Sequence, residues 1–169
     1  MTPLGAVMRG AVAGKIGTLA MDLVWYRRYR KEGGDDSFVA WEFSSSTFTW
    51  DEAPPPAQVG KRVLEGFLQR ELPDSWAGPT NNTVHWLYGA MWGAGYGIVA
   101  GSRPVLKVGH GLAFATMVWS SGYAVLPLAK LYKPIWEYDT TTLAKDLSAH
   151  VAFGLGCSGA FRLLAVVRR

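Results

Sequence analysis

Residues 84–101, VHWLYGAMWGAGYGIVAG, contain no Asp, Glu, Lys or Arg and carry a glycine at every fourth position from residue 89 onward. These glycines are Gly89, Gly93, Gly97 and Gly101. In water, each glycine inside a helix costs about 1 kcal/mol relative to alanine, and a surface helix needs a polar face. In a bilayer, small residues instead let neighbouring helices approach closely, because no water competes for the backbone. The stretch therefore predicts a membrane-spanning helix.

Three further stretches have the length of a span, which is about 20 residues for a hydrocarbon core of roughly 30 Å. The four predicted spans cover about 3–26, 84–101, 108–129 and 147–167. The first is the weakest, because it contains Arg9, Lys15 and Asp22. We still interpret it as a span, since Gly10 and Gly14 give it a small-residue packing face.

The sequence thus predicts an all-α integral membrane bundle with four transmembrane spans in a single domain, 1–169. Four spans place both termini on one side of the membrane. A water-soluble helical protein is the alternative. We expect no cleaved signal peptide, because Arg9 interrupts the apolar core that should precede the small residues Ala11-Val12-Ala13.

The long connection, 27–83, contains a predicted amphipathic helix at about 57–72. Its apolar residues fall at helical spacing, and most of its charged residues occupy the other face. The apolar residues are Val59, Val63, Leu64, Phe67, Leu68 and Leu72. Such a helix either lies on the membrane surface or caps the bundle.

Composition narrows the possible partners of the chain. Eight Trp and seven Tyr are typical of membrane–water interfaces. The net charge is +4, but no basic helix face is interleaved with stacking aromatic residues, so nucleic-acid binding is not expected. Cys157 is the only cysteine, which excludes an intrachain disulfide and a cysteine-based metal site.

Ionisable residues inside the spans are candidates for function, since such groups are costly in lipid and usually face the protein interior. With four alternating spans, Asp22, His85, Asp146 and His150 fall in the same half of the bilayer. Lys15 shares a helical face with Asp22. Three interpretations stay open: a structural hydrogen-bond network, a proton or ion relay, and a metal or haem site for which His85 and His150 are weak candidates.

The glycine repeat predicts a groove for a second helix. We expect its partner to be the small-residue stripe of the last predicted span, and homo-oligomerisation is the alternative. That stripe consists of Ser148, Ala152, Gly156 and Ala160. A dinucleotide-binding loop is excluded, because these glycines neither follow a strand nor open a βαβ unit.

The order of the segments is also familiar. GAVAGKIGTLAMD is followed by DEAPPPAQVGKR, HWLYGAMWGAGYG and GHGLAFATMVWSSGYAVLPLAKLYKP, and a last span contains a histidine. This order resembles the YagU-like inner-membrane proteins, a bacterial family of unknown function. The resemblance depends on His85, on Leu126-Pro127-Leu128 and on His150. It departs from the family in a connection without cysteines and in an unusually charged first span.

The resemblance implies a helical bundle in the bacterial inner membrane and no chemistry. Motifs of hydrolases such as HExxH and GxSxG are absent from the sequence. We therefore predict a non-enzymatic packing or binding module without a cofactor, whose partners are the lipid bilayer and a second copy or another membrane protein. Proton or small-ion transport is the alternative, and a metal- or haem-binding redox subunit is the third.

Overall fold

The computed structural model describes residues 1–43, 49–102 and 108–166, and their regular secondary structure is helical without strands. The helices are α1 (Pro3–Lys31), α2 (Phe38–Glu42), α3 (Pro55–Leu68), α4 (Ala77–Gly101), α5 (Val108–Leu128) and α6 (Thr140–Val166). Two short 3₁₀ turns cover Asp74–Trp76 and Ile135–Glu137. The predicted all-α class is confirmed for these residues.

The helices extend beyond the predicted spans. α5 ends within one residue of its predicted boundary, but α4 and α6 begin earlier than predicted and α1 ends later. The basic residues after Tyr26 do not stop α1, because Arg and Lys are good helix formers and cations are favourable at a helix C-terminus. Asn81, Asn82 and Thr83, which precede the predicted span 84–101, lie inside α4. Val167 of the last predicted span lies outside the described residues.

The amphipathic helix is shorter than predicted. α3 begins at Pro55, where proline is tolerated because the first turn needs no backbone N–H partner. It ends at Leu68, because Gln69 adopts a left-handed conformation with φ of 52°. Leu72, assigned to this helix from the sequence, is buried outside it.

The chain packs as two compact units, where the sequence predicts a single domain. The first, here called the helical unit, comprises Met1–Trp25 and Tyr88–Arg169. The second, the connector unit, comprises Tyr26–Leu87. Residues of α1 and α4 contribute to both.

In the helical unit, α1 and α4 touch through their backbones. A methyl group added at Gly10 would lie 2.9 Å from the Cα of Gly97, and one added at Gly14 would lie 2.9 Å from the Cα of Gly93. These distances are too short for any residue larger than glycine at either position. Gly89 meets the side chain of Thr18 in the same way.

The expected partner of the α4 glycines is therefore wrong. The nearest neighbours of Gly89, Gly93 and Gly97 are on α1, and not on the small-residue stripe of α6. From that stripe, Gly156 packs instead against Gly17 and Ala20 of α1. All of these helices carry small residues at four-residue steps, so the spacing alone does not decide which pairs meet.

Aromatic side chains form much of the core of the helical unit. Phe114 of α5 lies at the centre of this core, with ring centroids 4.8 Å from Tyr96 and 5.6 Å from Phe153. Phe161 packs edge-on against Tyr96 at 5.8 Å. Cys157 is completely buried in the same cluster.

By length and composition alone, two helices among the described residues could cross a membrane, Gly109–Leu128 and Thr140–Val166. The sequence predicts four such spans. α1 is not among these two helices, because its charged residues lower its mean hydropathy. α4 is not among them either, because Gly, Trp and Tyr contribute little hydropathy.

The connector unit is organised around Trp50, which is 5% exposed. Its indole Nε1 donates to the carbonyl oxygens of Leu72 at 3.0 Å and Pro73 at 3.2 Å. Ala57 and Ala77 complete this small core. The Trp50 core thereby joins the stretch before α3 to the stretch after it.

Candidate functional site

The candidate site lies where α5 and α6 pair within the helical unit. The two helices run antiparallel and touch at Gly111 and Gly154: a methyl group added at Gly111 would lie 3.0 Å from the Gly154 carbonyl oxygen. One added at Gly154 would lie 2.7 Å from the Cβ of Ala115. This register brings Tyr123 of α5 to Asp146 of α6.

Tyr123, Asp146 and His150 form a connected polar cluster, here called the Tyr–Asp–His cluster. The Tyr123 hydroxyl donates to Oδ2 of Asp146 at 3.0 Å. His150 Nδ1 lies 3.3 Å from Oδ1 of the same carboxyl group. Tyr123 is 9% exposed, and the side chains of Asp146 and His150 are 18% and 20% exposed. The cluster is thus largely, but not completely, removed from solvent.

The surroundings of His150 fix the position of its proton. Nδ1 is 3.0 Å from the backbone carbonyl oxygen of Asp146, which can only accept a hydrogen bond. Nδ1 therefore carries a hydrogen, and in the neutral ring Nε2 is the nitrogen that accepts a proton or binds a ligand. The Asp146 carboxylate thus lies between the Tyr123 phenol and the His150 imidazole and has a polar contact with each of them.

Two further tyrosines cover the cluster. The ring centroids of Tyr132 and Tyr138 lie 5.3 Å and 5.4 Å from that of Tyr123. The Tyr138 hydroxyl accepts a hydrogen bond from the backbone N–H of Lys133 at 3.2 Å. Burial, and then the negative charge of Asp146, raise the pKa of Tyr132 to about 12. Tyr132 therefore stays neutral throughout the physiological pH range.

The sequence also predicts Asp22, Lys15 and His85 as site residues. Asp22 lies in the helical unit and is 4% exposed, on the same line of four-residue steps as Gly14 and Thr18. Lys15 follows Gly14 in sequence and does not belong to this line. Its side chain is exposed, so its environment differs from that of Asp22. His85 belongs to the connector unit and is partly buried.

Sequence reasoning identifies Asp146 and His150, because residues four apart on a helix are neighbours. It misses Tyr123, which reads as one more aromatic residue of an apolar span. Tyr123 precedes the connection between α5 and α6, and Asp146 follows it at a similar distance in sequence. Residues placed in this way face each other when two helices pack antiparallel, so this spacing would have indicated Tyr123.

Among the described residues, no group of three or more His, Cys, Asp or Glu side chains is arranged to hold a metal ion. His150 alone offers a ligand nitrogen at the Tyr–Asp–His cluster. No family model, curated protein or solved structure matches the chain. The interpretation of the cluster accordingly depends on its own geometry.

Proposed function

We propose that this chain is a multi-pass membrane protein in which α1, α4, α5 and α6 all span the bilayer. In this proposal the glycine contacts between α1 and α4 are a glycine zipper, and α3 is an interfacial helix. The YagU-like resemblance and a place in the bacterial inner membrane are parts of the same proposal. Both termini then lie on one side of the membrane.

One observation carries the proposal: the helical unit exposes many large apolar side chains, while glycines lie at its helix contacts. Exposed large apolar side chains occur on all four long helices of this unit. They include Leu4, Met8, Val12, Leu23, Met91, Ile98, Val99, Met117, Val125, Leu128, Leu163 and Val166. A soluble protein would bury such residues, whereas lipid chains solvate them. The outward apolar surface supports four spans even though α1 and α4 are less apolar overall.

Labelling of single cysteines in intact cells tests the number of spans. Cys157, which is fully buried, is first replaced by alanine, and Ser75→Cys or Ser102→Cys is then introduced. Four spans place positions 75 and 102 on opposite sides of the membrane, because only α4 separates them. A membrane-impermeant maleimide should then label one position and not the other. If only α5 and α6 span the membrane, both positions react alike with the maleimide. Release of the protein from membranes by alkaline washing would refute membrane integration altogether.

Within this membrane protein we propose a non-enzymatic role as a module that packs with itself or a partner, or that binds a small ligand or lipid. The exposed apolar side chains of the closely packed α1–α4 pair support the packing role, since a second copy, a partner or a lipid can contact them. Native mass spectrometry of the detergent-extracted full chain tests it. A dimer or a bound lipid mass supports the module, whereas a bare monomer at all detergent concentrations contradicts both forms of it.

Proton transfer is the second candidate, and the Tyr–Asp–His cluster favours it. Its three side chains are linked by short polar contacts and partly shielded from water, which a proton relay requires. The sequence analysis also names Asp22 as a candidate for this relay, and Asp22 is nearly fully buried in the same unit.

Proteoliposomes with an entrapped pH dye distinguish a relay from a structural network. Asp146→Asn and His150→Gln should abolish proton flux while the protein stays folded, and Ser148→Ala on the exposed side of α6 serves as the control. A wild-type protein without flux, or variants that lose stability alone, would assign the cluster a structural role.

A further inference from the structure

One face of α3 buries small residues against the connector unit. Ala57 is completely buried beside Trp50, and Gly60 faces Val84, since a methyl group added there would lie 2.7 Å from its Cγ2. Leu64 is partly buried against the same core. This face is therefore already occupied.

A second face of α3 is apolar and largely exposed in the part of the chain that the structure describes. Val63 is 52% exposed and Phe67, one helical turn later, is 85% exposed. Gly66 borders this face, and no atom from another described part of the chain lies within 4 Å of the position of an added methyl group. We name Val63 and Phe67 the α3 ridge. An aromatic side chain exposed to this extent is unfavourable in water.

The charged residue next to the ridge in sequence is basic. Arg62 lies beside Val63 and is exposed. The only carboxylate of α3, Glu65, is engaged by the Lys61 ammonium at 3.9 Å and by the Leu72 backbone N–H at 3.0 Å. A basic residue next to an apolar ridge matches the headgroups of anionic lipids.

Chain connectivity selects the bilayer among possible occupants of the ridge. Under the proposed function, the connector unit follows one span, in α1, and precedes another, in α4. It is therefore tethered to the membrane at both ends, so the lipid surface is present at high effective concentration.

We infer that the α3 ridge inserts into the headgroup region of an anionic bilayer, with Val63 and Phe67 as the inserted side chains. This inference rests on the proposed membrane-spanning function of the helical unit. A helix of this kind lies in the plane of the interface with its apolar face about 5–10 Å into the boundary between headgroups and acyl chains.

Spin labels on the full-length chain test the insertion. In the Cys157→Ala background, a nitroxide is attached at Phe67→Cys, at Val63→Cys, at Val125→Cys on the exposed side of α5, or at Ser75→Cys in the connector unit. The protein is reconstituted in phosphatidylcholine vesicles with and without phosphatidylglycerol. Collision with oxygen reports lipid, and collision with a water-soluble nickel chelate reports water.

We expect positions 63, 67 and 125 to be accessible to oxygen and position 75 to the nickel chelate. Omitting phosphatidylglycerol, or adding Arg62→Gln, should shift position 67 towards the nickel chelate while position 125 stays in lipid. If position 67 is in water in both vesicles and position 125 is in lipid, the insertion is refuted and the membrane proposal stands. If position 125 is also in water, the proposed function itself fails. A position 67 shielded from both reagents would refute lipid insertion in favour of a protein partner.

Discussion

The hydroxyl of Tyr123 donates a 3.0 Å hydrogen bond to Oδ2 of Asp146, and this bond connects α5 to α6 at the end of the helical unit where their connection lies. In addition to the contact between Gly111 and Gly154, the Tyr123–Asp146 pair provides a directional interaction between two otherwise apolar helices. Because both partners are largely buried, losing one leaves the other without its polar neighbour.

Tyr123→Phe keeps the ring and removes the hydroxyl. We expect a loss of about 1 kcal/mol in the free energy of unfolding, the typical net contribution of one hydrogen bond. Thermal unfolding in detergent measures it. Tyr88→Phe is the matched control, because Tyr88 is 42% exposed. Equal unfolding temperatures for the two variants would show that the Tyr123 bond contributes nothing.

Gly14→Ala tests the contact between α1 and α4. The added methyl group would lie 2.9 Å from the Cα of Gly93, so the helices must separate, and we expect a loss of about 1–3 kcal/mol. Gly95→Ala is the control on α4, since nothing lies within 4 Å of its added methyl group. There the better helix propensity of alanine should stabilise by up to about 1 kcal/mol. The comparison is made by thermal unfolding, and two variants of equal stability would contradict close contact.

The extent of the predicted helices shows what hydropathy can and cannot define. It located α5 within one residue but began α4 and α6 too late. Hydropathy marks the part of a helix that suits lipid, whereas backbone hydrogen bonding continues through polar residues such as Asn81 and Asp146. Helix ends depend on those bonds and on turn conformations such as that of Gln69, which leave little trace in composition.

Contacts between distant residues were harder to predict than local ones. The pairing of Asp146 with His150 follows from their four-residue spacing on one helix. The approach of Tyr123 depends on the register of α5 against α6, which Gly111 and Gly154 determine. Likewise, the α4 glycines predict a groove, but the neighbour that occupies it depends on how all the helices pack together.

Trp50→Phe tests the core of the connector unit. It removes the two hydrogen bonds from Nε1 to the carbonyl oxygens of Leu72 and Pro73 and leaves part of the core empty. We expect a local loss of about 1–3 kcal/mol. Hydrogen exchange should therefore become faster at residues 69–77 than in wild type. Trp76→Phe, at a residue that is 43% exposed, should leave this exchange unchanged. Unaltered exchange in the Trp50 variant would contradict a central role for the indole.

Asp139 provides a test that depends on pH. It immediately precedes α6, and its carboxylate accepts hydrogen bonds from the Thr142 hydroxyl at 2.6 Å and from the Thr142 backbone N–H at 2.9 Å. These bonds, the hydroxyl bond first, lower the pKa of Asp139 below its ordinary value of 3.8. A carboxyl group whose pKa is lower in the folded state stabilises the fold above its unfolded pKa and loses that contribution as the pH falls through its folded pKa.

The stability that depends on this carboxylate should accordingly be constant near neutral pH and decline as the pH falls towards and below 3.8, the pKa of the unfolded state. Asp139→Ala should lower the unfolding temperature near neutral pH, because the start of α6 loses its cap. Asp139→Asn should retain most of the cap, since an amide oxygen also accepts the Thr142 N–H, but should remove this part of the acid dependence. Unfolding temperatures measured for the three proteins from pH 7 to about pH 3 separate these effects. An Asn variant as unstable as the Ala variant at neutral pH would show that charge, and not hydrogen bonding, stabilises the first turn of α6.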